Sequence, residues 1–409
     1  MVAMKIFILK PGLEMPILAG HPWVFSNGIE EADPQIQPGE LVEVLAKDGR
    51  FLGVGLAGAG STIKVRMISL EKLATTSGGQ AGLDKDFFVG RFLELEKSKK
   101  RHLPAGTNAY RVVYADADWL PGLIVDKYDD VVVFQIHTAG MDKLHSEILE
   151  ALKEAFKPRA IVERSDVDAR RKEGIRVLEP VLKYGKLDGD LASFQENGIK
   201  FVANVIHGQK TGFFLDQRDA RKKVMELAGG KRVLNLFSYT GAFSIYAAMG
   251  EAASVTSVDV SESAIEMAKK NFELNSLPSE NKDLKYQFIC ADVFEYLKSA
   301  SFKAGEYDMI ICDPPAFAKG GDKTDQAKRA YTDLNKKCLE LLGPGGILIS
   351  SSCSGRVSLE DFRGFLRIAA GKAGRDVRVL ASLGQGFDHT DRLCFTEGTY
   401  LKTLVLEII

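Results

Sequence analysis

The sequence from Phe214 onward alternates short apolar segments with segments whose apolar residues recur at helical spacing, and this alternation constrains the fold most strongly. Strands that alternate with helices are typical of a parallel α/β sheet. We therefore predict such a sheet in this part of the chain. Its predicted strands are Arg232–Leu236, Ser254–Val258, Tyr286–Cys290, Met309–Cys312 and Gly346–Ser351. Its predicted helices are Asp216–Leu227, Gly241–Met249, Ser263–Asn275 and Ala327–Leu342.

Residues 4–70 predict a small all-β unit, and the pattern is typical of a barrel. Short apolar runs are separated by turn residues such as Pro38-Gly39 and Gly58-Ala59-Gly60. The predicted strands are Met4–Leu9, Leu41–Leu45, Arg50–Leu56 and Ile63–Ile68.

Residues 75–190 predict a second unit, of the α+β class. It opens with a linker, Thr75–Gly82, followed by Asp84 as the expected cap of a helix over Lys85–Arg101. The alternating segment Lys200–Val205 predicts a hairpin that leads into the α/β part. The other predicted elements are the strands Tyr110–Tyr114, Leu123–Asp126, Val131–Thr138 and Ala160–Glu163 and the helix Lys143–Phe156.

The composition bounds the possible functions. The chain has 409 residues and a net charge of −1, so RNA affinity would have to come from local basic stretches such as Arg170–Lys172 and Arg218–Lys223. Its five cysteines form no C-x-x-C pair, which argues against a disulfide framework and favours a reduced compartment, the cytoplasm. We expect no signal peptide, no membrane span and no metal site.

Ligands of open α/β sheets bind at the carboxyl ends of the strands, so the residues that follow each predicted strand are the candidates for a binding site. The first strand leads into Phe237-Ser238-Tyr239-Thr240-Gly241. The single glycine does not match the G-x-G-x-x-G pattern that a pyrophosphate requires, which argues against a dinucleotide. A cofactor without phosphates tolerates this loop.

Aspartates follow the second and third strands. Asp259 is placed to accept hydrogen bonds from both hydroxyls of a ribose. The alternative is a helix cap, although Ser261 suits that role better. Asp292 is placed to accept a hydrogen bond from an adenine amino group, with Val293 and Phe294 against the ring. For Asp292, too, a simple helix cap is the alternative.

The fourth and fifth strands are followed by Asp313-Pro314-Pro315 and by a serine-rich turn that contains Cys353. Two prolines fix the backbone, and a carboxylate beside such a rigid turn suits a flat polar base. A lone cysteine is usually a small core residue, but Cys353 follows the end of a strand. We expect Cys312 and Cys290, which lie within apolar strands, to belong to the core.

These segments together resemble class I S-adenosylmethionine methyltransferases. More narrowly, nearly the whole chain resembles the RlmI type of bacterial large-subunit ribosomal RNA cytosine-5 methyltransferases. The ordered set of motifs carries the resemblance, not any single one. The motifs are HPWVFSNGI at 21–29, KTGFFLDQRDAR at 210–221, VLNLFSYTGAFSIYAA at 233–248, SVDVSESAIEMAKKNFELN at 257–275, DPPAFAK at 313–319 and SSCSG at 351–355.

The resemblance implies a multidomain α/β protein. It implies an N-terminal PUA β-barrel that binds RNA over 1–72 and a middle α+β domain over 73–190 with strand-strand-helix-strand-strand order. It also implies a C-terminal Rossmann-like class I methyltransferase domain over 191–409, entered through a β-hairpin near 194–210. The implied partner is large-subunit ribosomal RNA. A homodimer is compatible with the family, but the residues themselves do not address it.

The resemblance also implies roles for particular residues. S-adenosyl-L-methionine would be held by the loop Phe237–Gly241, by Asp259 and the adjoining Val260, by Asp292 and Val293, and by Asp313 and Pro314. Gln217 and Arg218 of the Asp216–Arg218 segment would line the cofactor or RNA side. The family's nucleophilic cysteine maps to Cys353. Many RNA cytosine-5 methyltransferases have a second cysteine directly after Asp-Pro-Pro, where this chain has Ala316, so the group that removes the proton remains open.

The chemistry explains why Cys353 discriminates between functions. Cytosine C5 attacks a sulfonium methyl only after a thiolate has added to C6, whereas methylation of an exocyclic nitrogen needs no cysteine. Asp313 is the expected partner of the ring nitrogen N3. A guanine or adenine N-methyltransferase of the same fold is therefore the nearest alternative. The other classes are a nicotinamide oxidoreductase and a non-catalytic RNA-binding assembly factor.

Overall fold

The structure is a computed structural model that describes residues 4–60, 62–73, 82–278, 285–299, 302–317 and 324–409. All of the predicted linker except Gly82, and the last two residues of the DPPAFAK motif, lie outside the described residues. The chain divides into two compact units. The first comprises Met1–Gly198, Ala203–Leu215 and Phe387–Gly398, and the second comprises Ile199–Val202, Asp216–Gly386 and Thr399–Ile409.

The first unit begins with a largely antiparallel sheet in the order β2-β6-β5-β4-β1-β3, in which only the β1–β4 pairing is parallel. All four strands predicted here are present. The strands β2 and β3 were missed because they are short and β3 is mostly polar and exposed. The elements are β1 (Lys5–Leu9), α1 (Met15–Leu18), β2 (Trp23–Phe25), β3 (Ile29–Ala32), β4 (Leu41–Leu45), β5 (Phe51–Ala57) and β6 (Ile63–Ser69).

A second sheet of the same unit has the order β11-β10-β9-β8-β7. Asp84 caps α2 by accepting a hydrogen bond from the backbone of Phe87, as predicted. Three strands precede the helices α3 and α4, where the family resemblance implied two. The elements are α2 (Lys85–Lys100), β7 (Ala109–Tyr114), β8 (Leu123–Tyr128), β9 (Val131–Ile136), α3 (Ala139–Lys143), α4 (His145–Phe156), β10 (Ala160–Glu163), α5 (Ala169–Lys172) and β11 (Val181–Gly185). The predicted hairpin is present as β12 (Leu191–Glu196) and β13 (Ile199–Asn204).

A buried ion pair fixes β7 to β8. Arg111 donates from Nε and Nη2 to the two carboxylate oxygens of Asp126 at 2.7 and 2.8 Å, and Thr211 Oγ1 donates to the same carboxylate at 2.6 Å. Asp126 is fully buried. Because removal of one partner leaves a buried charge uncompensated, we expect Asp126→Ala to lower the free energy of unfolding by about 3–5 kcal/mol.

Chemical denaturation measures this effect. The matched control is Asp130→Asn, which removes an exposed ion pair to Arg159 at 2.8 Å and should change the free energy of unfolding by less than about 1 kcal/mol. Equal destabilisation by the two variants would contradict the expectation.

The second unit contains the predicted α/β sheet. All five strands and all four helices predicted for it are present, and Arg232–Leu236 and Tyr286–Cys290 have the predicted bounds. The helices α9 and α11 and the strands β19 and β20 were not predicted. The elements are α6 (Arg218–Leu227), β14 (Arg232–Leu236), α7 (Ala242–Met249), β15 (Ser254–Asp259), α8 (Glu262–Leu274), β16 (Tyr286–Cys290), α9 (Val293–Ser299), β17 (Tyr307–Cys312), α10 (Thr324–Leu341), β18 (Leu342–Ser352), α11 (Leu359–Ala373), β19 (Val377–Leu383) and β20 (Lys402–Ile408).

The strand order of this sheet, β16-β15-β14-β17-β18-β20-β19, places the predicted site residues together. The strands from β16 to β18 pair in parallel, and β20 runs antiparallel to β18. The chain order reverses at β14, which pairs with β15 on one side and with β17 on the other, and such a reversal opens a crevice at the carboxyl ends. None of the helices in the described part of the chain has both the length and the apolar character needed to span a bilayer.

Candidate functional site

The loop after β14 has a strained and well-anchored backbone. Phe237 and Tyr239 adopt positive φ angles of 59° and 46°, a conformation that residues other than glycine rarely adopt. Gly241 has φ of 77°, and a Cβ atom there would lie 2.8 Å from the Cβ of Ala268. The backbone N–H of Ser238 donates to the carbonyl of Val258 at 3.0 Å. Strain of this kind is concentrated at functional sites, where the surrounding contacts maintain it.

Asp259 at the end of β15 supplies one of those contacts. Its Oδ2 accepts a hydrogen bond from the Tyr239 backbone N–H at 2.8 Å, and its Oδ1 accepts one from the Ser261 N–H at 2.9 Å. The helix cap of α8 is Ser261, whose hydroxyl accepts from the Ala264 N–H. A carboxylate has about four acceptor positions, so the two bonds leave Asp259 with capacity for a ligand.

The site contains buried polar atoms for which the described residues provide no hydrogen-bond partner. These atoms are Ser238 Oγ and Thr240 Oγ1 in the loop and Gln217 Oε1 just before α6. Their residues are at most 6 % exposed. Buried polar atoms are nearly always hydrogen-bonded in native proteins, so a polar ligand in the crevice would satisfy them.

The segment after β16 divides between the core and the surface. Asp292 is exposed and accepts a hydrogen bond from the Glu295 N–H at 3.0 Å, so it caps the start of α9. Val293 is 3 % exposed and belongs to the hydrophobic core. Phe294 is partly exposed, with its ring centroid 6.2 Å from that of Phe237. Val260 is 69 % exposed, so its side chain is accessible to a ligand.

The Asp-Pro-Pro turn after β17 is tied to the segment before α6. Gln217 Nε2 donates to Asp313 Oδ2 at 2.9 Å. Gln217 and Arg218 are almost fully buried, and Pro314 is buried next to the partly exposed Asp313. Asp216 accepts a hydrogen bond from the hydroxyl of Tyr400. The Asp216–Arg218 segment therefore contacts the crevice through the hydrogen bond between Gln217 and Asp313.

Cys353 follows three serines at the end of β18 that we call sealed, because they are buried and their hydroxyl groups are hydrogen-bonded. Ser350 Oγ donates to Asn335 at 2.6 Å, Ser351 Oγ bonds Thr403 Oγ1 at 2.8 Å, and Ser352 Oγ donates to the Tyr331 hydroxyl at 2.9 Å. All three serines are buried, whereas Cys353 is partly exposed. Because β17 and β18 pair in parallel, Cys353 and Asp313 lie at the same edge of the sheet.

The other cysteines divide differently from our expectation. Cys312 is fully buried and belongs to the core as predicted. The hydrogen bond with the Cys338 thiol and burial hold the pKa of Cys312 well above its usual value. The prediction for Cys290 was wrong, because it is exposed. It is the last residue of β16, which forms an outer edge of the sheet, and its Sγ donates to the carbonyl oxygen of Val260 at 3.5 Å.

The basic stretches are also less accessible than predicted. Arg170, Arg218 and Arg221 are at most 1 % exposed. Arg170 is held by Asp142 and by the carbonyl oxygens of Ile136 and Arg176. Arg170 is therefore structural, Arg218 and Arg221 are buried in the second unit, and neighbouring residues such as Lys172 and Lys222 remain exposed for phosphates.

Two residues near Cys353 were missed. Tyr331 of α10 is buried, and burial, with the charges of Cys353 and Asp313, raises its pKa to about 12, although the hydrogen bond with the Ser352 hydroxyl acts in the opposite direction. Lys402 of β20 is 6 % exposed and donates from Nζ to the carbonyl of Ser354 at 2.7 Å. The sequence pattern around Tyr331 is that of an ordinary apolar position of a helix. By contrast, a lysine two residues before the apolar run LVLEII could have indicated a functional role.

A groove of about 760 Å³ elsewhere in the second unit contains none of these residues. It runs along α11 and β19 and is lined by Arg363, Arg367 and Val379 among others. The crevice at the carboxyl ends, not this groove, has the strained loop and the unsatisfied polar atoms, so we place the functional site there.

The sheet, its loop and the comparisons define the class of the second unit. Residues 186–363 match the family model described as S-adenosylmethionine-dependent methyltransferase, and residues 7–70 match the PUA-like domain. A solved SAM-dependent methyltransferase from Streptococcus mutans is 26% identical, with a TM-score of 0.80 over 99% of this chain and 100% of that one. A methyltransferase complexed with SAH is also 26% identical, with a TM-score of 0.81 over 99% and 100% of the two chains. The chain is an S-adenosylmethionine-dependent methyltransferase, and S-adenosylmethionine is its cofactor.

Curated relatives narrow the class to a family. The ribosomal RNA large subunit methyltransferase I of Aeromonas salmonicida is 40% identical over 98% of this chain and 99% of the relative. That of Shewanella amazonensis is 39% identical over 98% of both chains. The chain belongs to the family of ribosomal RNA large subunit methyltransferases I.

The residues of the crevice fit this cofactor. The loop Phe237–Gly241 and Asp259 offer acceptors and hydroxyl groups for a ribose and an amino-acid moiety, and the site needs no pyrophosphate cradle. We expect Asp259→Ala to raise the dissociation constant for S-adenosylmethionine about 10- to 100-fold, because the variant loses a charged acceptor and releases the Tyr239 backbone.

Calorimetric titration with S-adenosylmethionine measures this constant. The control is Glu262→Ala, which removes an exposed carboxylate three residues away and should leave the affinity unchanged. An unchanged affinity in Asp259→Ala would remove this residue from the cofactor site.

Proposed function

We propose that this protein methylates C5 of a cytosine in large-subunit ribosomal RNA, through a transient covalent bond between Cys353 Sγ and C6 of the base. The RNA is suggested by the names of the curated relatives and by the PUA-like domain. The observation that carries the proposal is the partial exposure of Cys353 directly after three sealed serines, at the same sheet edge as Asp313. A cysteine with only a packing role would be buried, as the three serines before it are.

The chemistry begins with the thiolate. Attack by Cys353 Sγ forms the Sγ–C6 bond, and the electron pair of the C5–C6 double bond makes C5 a carbon nucleophile. Asp313, held by the side-chain amide of Gln217, is positioned to hydrogen-bond or protonate N3, which stabilises the charge that develops on the ring. S-adenosylmethionine, when bound, supplies the sulfonium methyl group. A base then removes the C5 proton, and the Sγ–C6 bond breaks to restore the double bond.

The proposal assigns the cofactor to residues of one crevice. Ser238, Thr240 and Asp259 would bind its polar groups, and Phe294 and Val260 have exposed apolar surface for a ring. Phe237 and Tyr239 would shape the loop, Asp292 would remain available to an amino group, and Pro314 would fix the turn. Val293, which is buried at the start of α9, would contribute to the cofactor site next to Asp292.

The target base must leave its stack before C6 can meet the thiol. Flipping costs a few kcal/mol and is easiest for single-stranded or looped RNA. The PUA-like domain at 7–70 would hold flanking RNA and so contribute to this cost.

RNA that contains 5-fluorocytidine tests the covalent step. Fluorine at C5 does not leave as a proton does, so the Sγ–C6 bond should persist after methyl transfer. We expect a complex of protein and ribosomal RNA fragment that survives denaturing electrophoresis and forms only with S-adenosylmethionine.

Two controls define the result. Cys353→Ser should give no complex, and wild-type protein with ordinary cytidine RNA should give none that persists. Absence of the complex with wild-type protein on an RNA that it methylates would exclude the carbon mechanism and favour methylation of a base nitrogen.

A further inference from the structure

Lys402 places a buried ammonium group beside the turn that contains Cys353. It is the first residue of β20 and lies opposite Ser352 in the antiparallel pairing with β18. Its Nζ donates to the carbonyl of Ser354 at 2.7 Å, so its contact is with the residue that directly follows Cys353. At 6 % exposure, its charge is almost entirely removed from water.

No carboxylate of the described residues forms an ion pair with Lys402 within 4.0 Å. Buried lysines are normally paired, because an ammonium group loses much of its hydration energy in the protein interior. A single backbone carbonyl compensates only part of this loss. A strand position that pairs with Ser352 could hold an apolar residue at lower energy, so the cation calls for a functional explanation.

Titratable groups from several elements surround the turn that contains Cys353, and Lys402 is a buried cation among them. From α10, Tyr331 presents a neutral phenol, since burial raises its pKa to about 12. From α11, Asp361 is engaged in capping by Ser358 Oγ at 2.6 Å. Asp313 follows β17 and accepts a hydrogen bond from Gln217, and Arg356 of the same turn as Cys353 is exposed.

The electrostatic coupling between the two groups supports this geometry. Burial lowers the pKa of Lys402, while the Cys353 thiolate and then Asp361 raise it. Such an interaction is reciprocal: a thiolate that favours the charged lysine is itself favoured by that charge.

We propose that Lys402 is a positioning residue whose buried ammonium group keeps Cys353 in the reactive thiolate form. The inference rests on the proposed function, because it assigns Lys402 to the activation of the nucleophile. It also explains how the thiol is deprotonated without an adjacent histidine among the described residues near the turn.

The test is the pH dependence of Cys353 alkylation by iodoacetamide in the full-length protein without RNA, followed by mass spectrometry of the Cys353 peptide. We expect Lys402→Met and Lys402→Gln to slow alkylation at pH 7 by roughly tenfold and to move the midpoint upward by about one pH unit. The glutamine variant keeps a donor for the Ser354 carbonyl, so it separates the charge from the hydrogen bond. Lys402→Arg should stay near the wild-type curve.

Cys290 provides an internal reference, because it is exposed in the same unit and its alkylation should be identical in all variants. Superimposable Cys353 curves for wild type, Lys402→Gln and Lys402→Met would overturn the proposal. So would an arginine variant that behaves like the neutral ones. Because alkylation needs no RNA, a failed 5-fluorocytidine trap combined with a shifted curve would reject the cytosine chemistry and leave the coupling intact.

Discussion

Replacement of Cys353 by alanine should reduce methyl transfer to ribosomal RNA by roughly 10⁴-fold or more, while the affinity for S-adenosylmethionine stays within about twofold. The reason is that C5 of cytosine does not react at a useful rate without the thiolate at C6. The backbone of the turn should survive, because the sealed serines Ser350–Ser352 hold the strand end independently of the thiol. Single-turnover transfer of a radiolabelled methyl group measures the loss.

Cys290→Ala is the matched control for this experiment. It removes an exposed thiol at the end of another strand of the same sheet, and its rate should equal that of the wild type. Survival of a tenth or more of the activity in Cys353→Ala would contradict the covalent mechanism and indicate methylation of a guanine or adenine nitrogen.

Asp313→Asn should lower the rate of the chemical step by about 10²- to 10³-fold, with little change in RNA binding. The amide keeps the size of the side chain but loses the ionisable group that would serve N3 of the base. It also places an amide opposite Gln217, whose Nε2 now donates to the carboxylate at 2.9 Å. Rapid-quench kinetics with saturating RNA separates this step from binding.

Asp308→Asn at the opposite end of β17 controls for the change of charge. Asp308 pairs with Arg232 at 2.8 Å, and this ion pair is partly exposed. We expect its rate constant to remain at the wild-type value. If Asp313→Asn changed only the RNA dissociation constant, Asp313 would be a binding residue with no part in the chemistry.

The periodicity of the sequence was sufficient to predict the strands of the parallel sheet and to group the candidate site residues at one of its edges. Parallel strands present their carboxyl ends at one edge, so the residues after each strand, Asp259, Asp292, Asp313 and Cys353, could be grouped without coordinates. The strands β19 and β20 were harder to predict because β19 is an edge strand with mostly exposed residues, which show no buried pattern.

Burial of single side chains was the part that the sequence did not reveal. Cys290 lies in an apolar strand, yet it is exposed because that strand is the edge of the sheet. Arg170 and Arg218 look like surface cations, yet both are buried, and Arg170 is held by two carbonyl oxygens and the carboxylate of Asp142. Lys402 approaches Cys353 only because an antiparallel strand from the end of the chain returns beside β18. These outcomes depend on long-range pairing, which local patterns do not encode.

The left-handed conformations at Phe237 and Tyr239 have an implication for redesign of this enzyme. Glycine would adopt either conformation more easily by about 1 kcal/mol, so glycine at these positions would relieve the backbone strain of the loop. A loop with these glycines would lack the aromatic ring that faces Phe294 and the side chain beside the Asp259 anchor. Relief of backbone strain and affinity for the methyl donor are therefore opposing demands at these two positions. A redesign that improves one of them gives up part of the other.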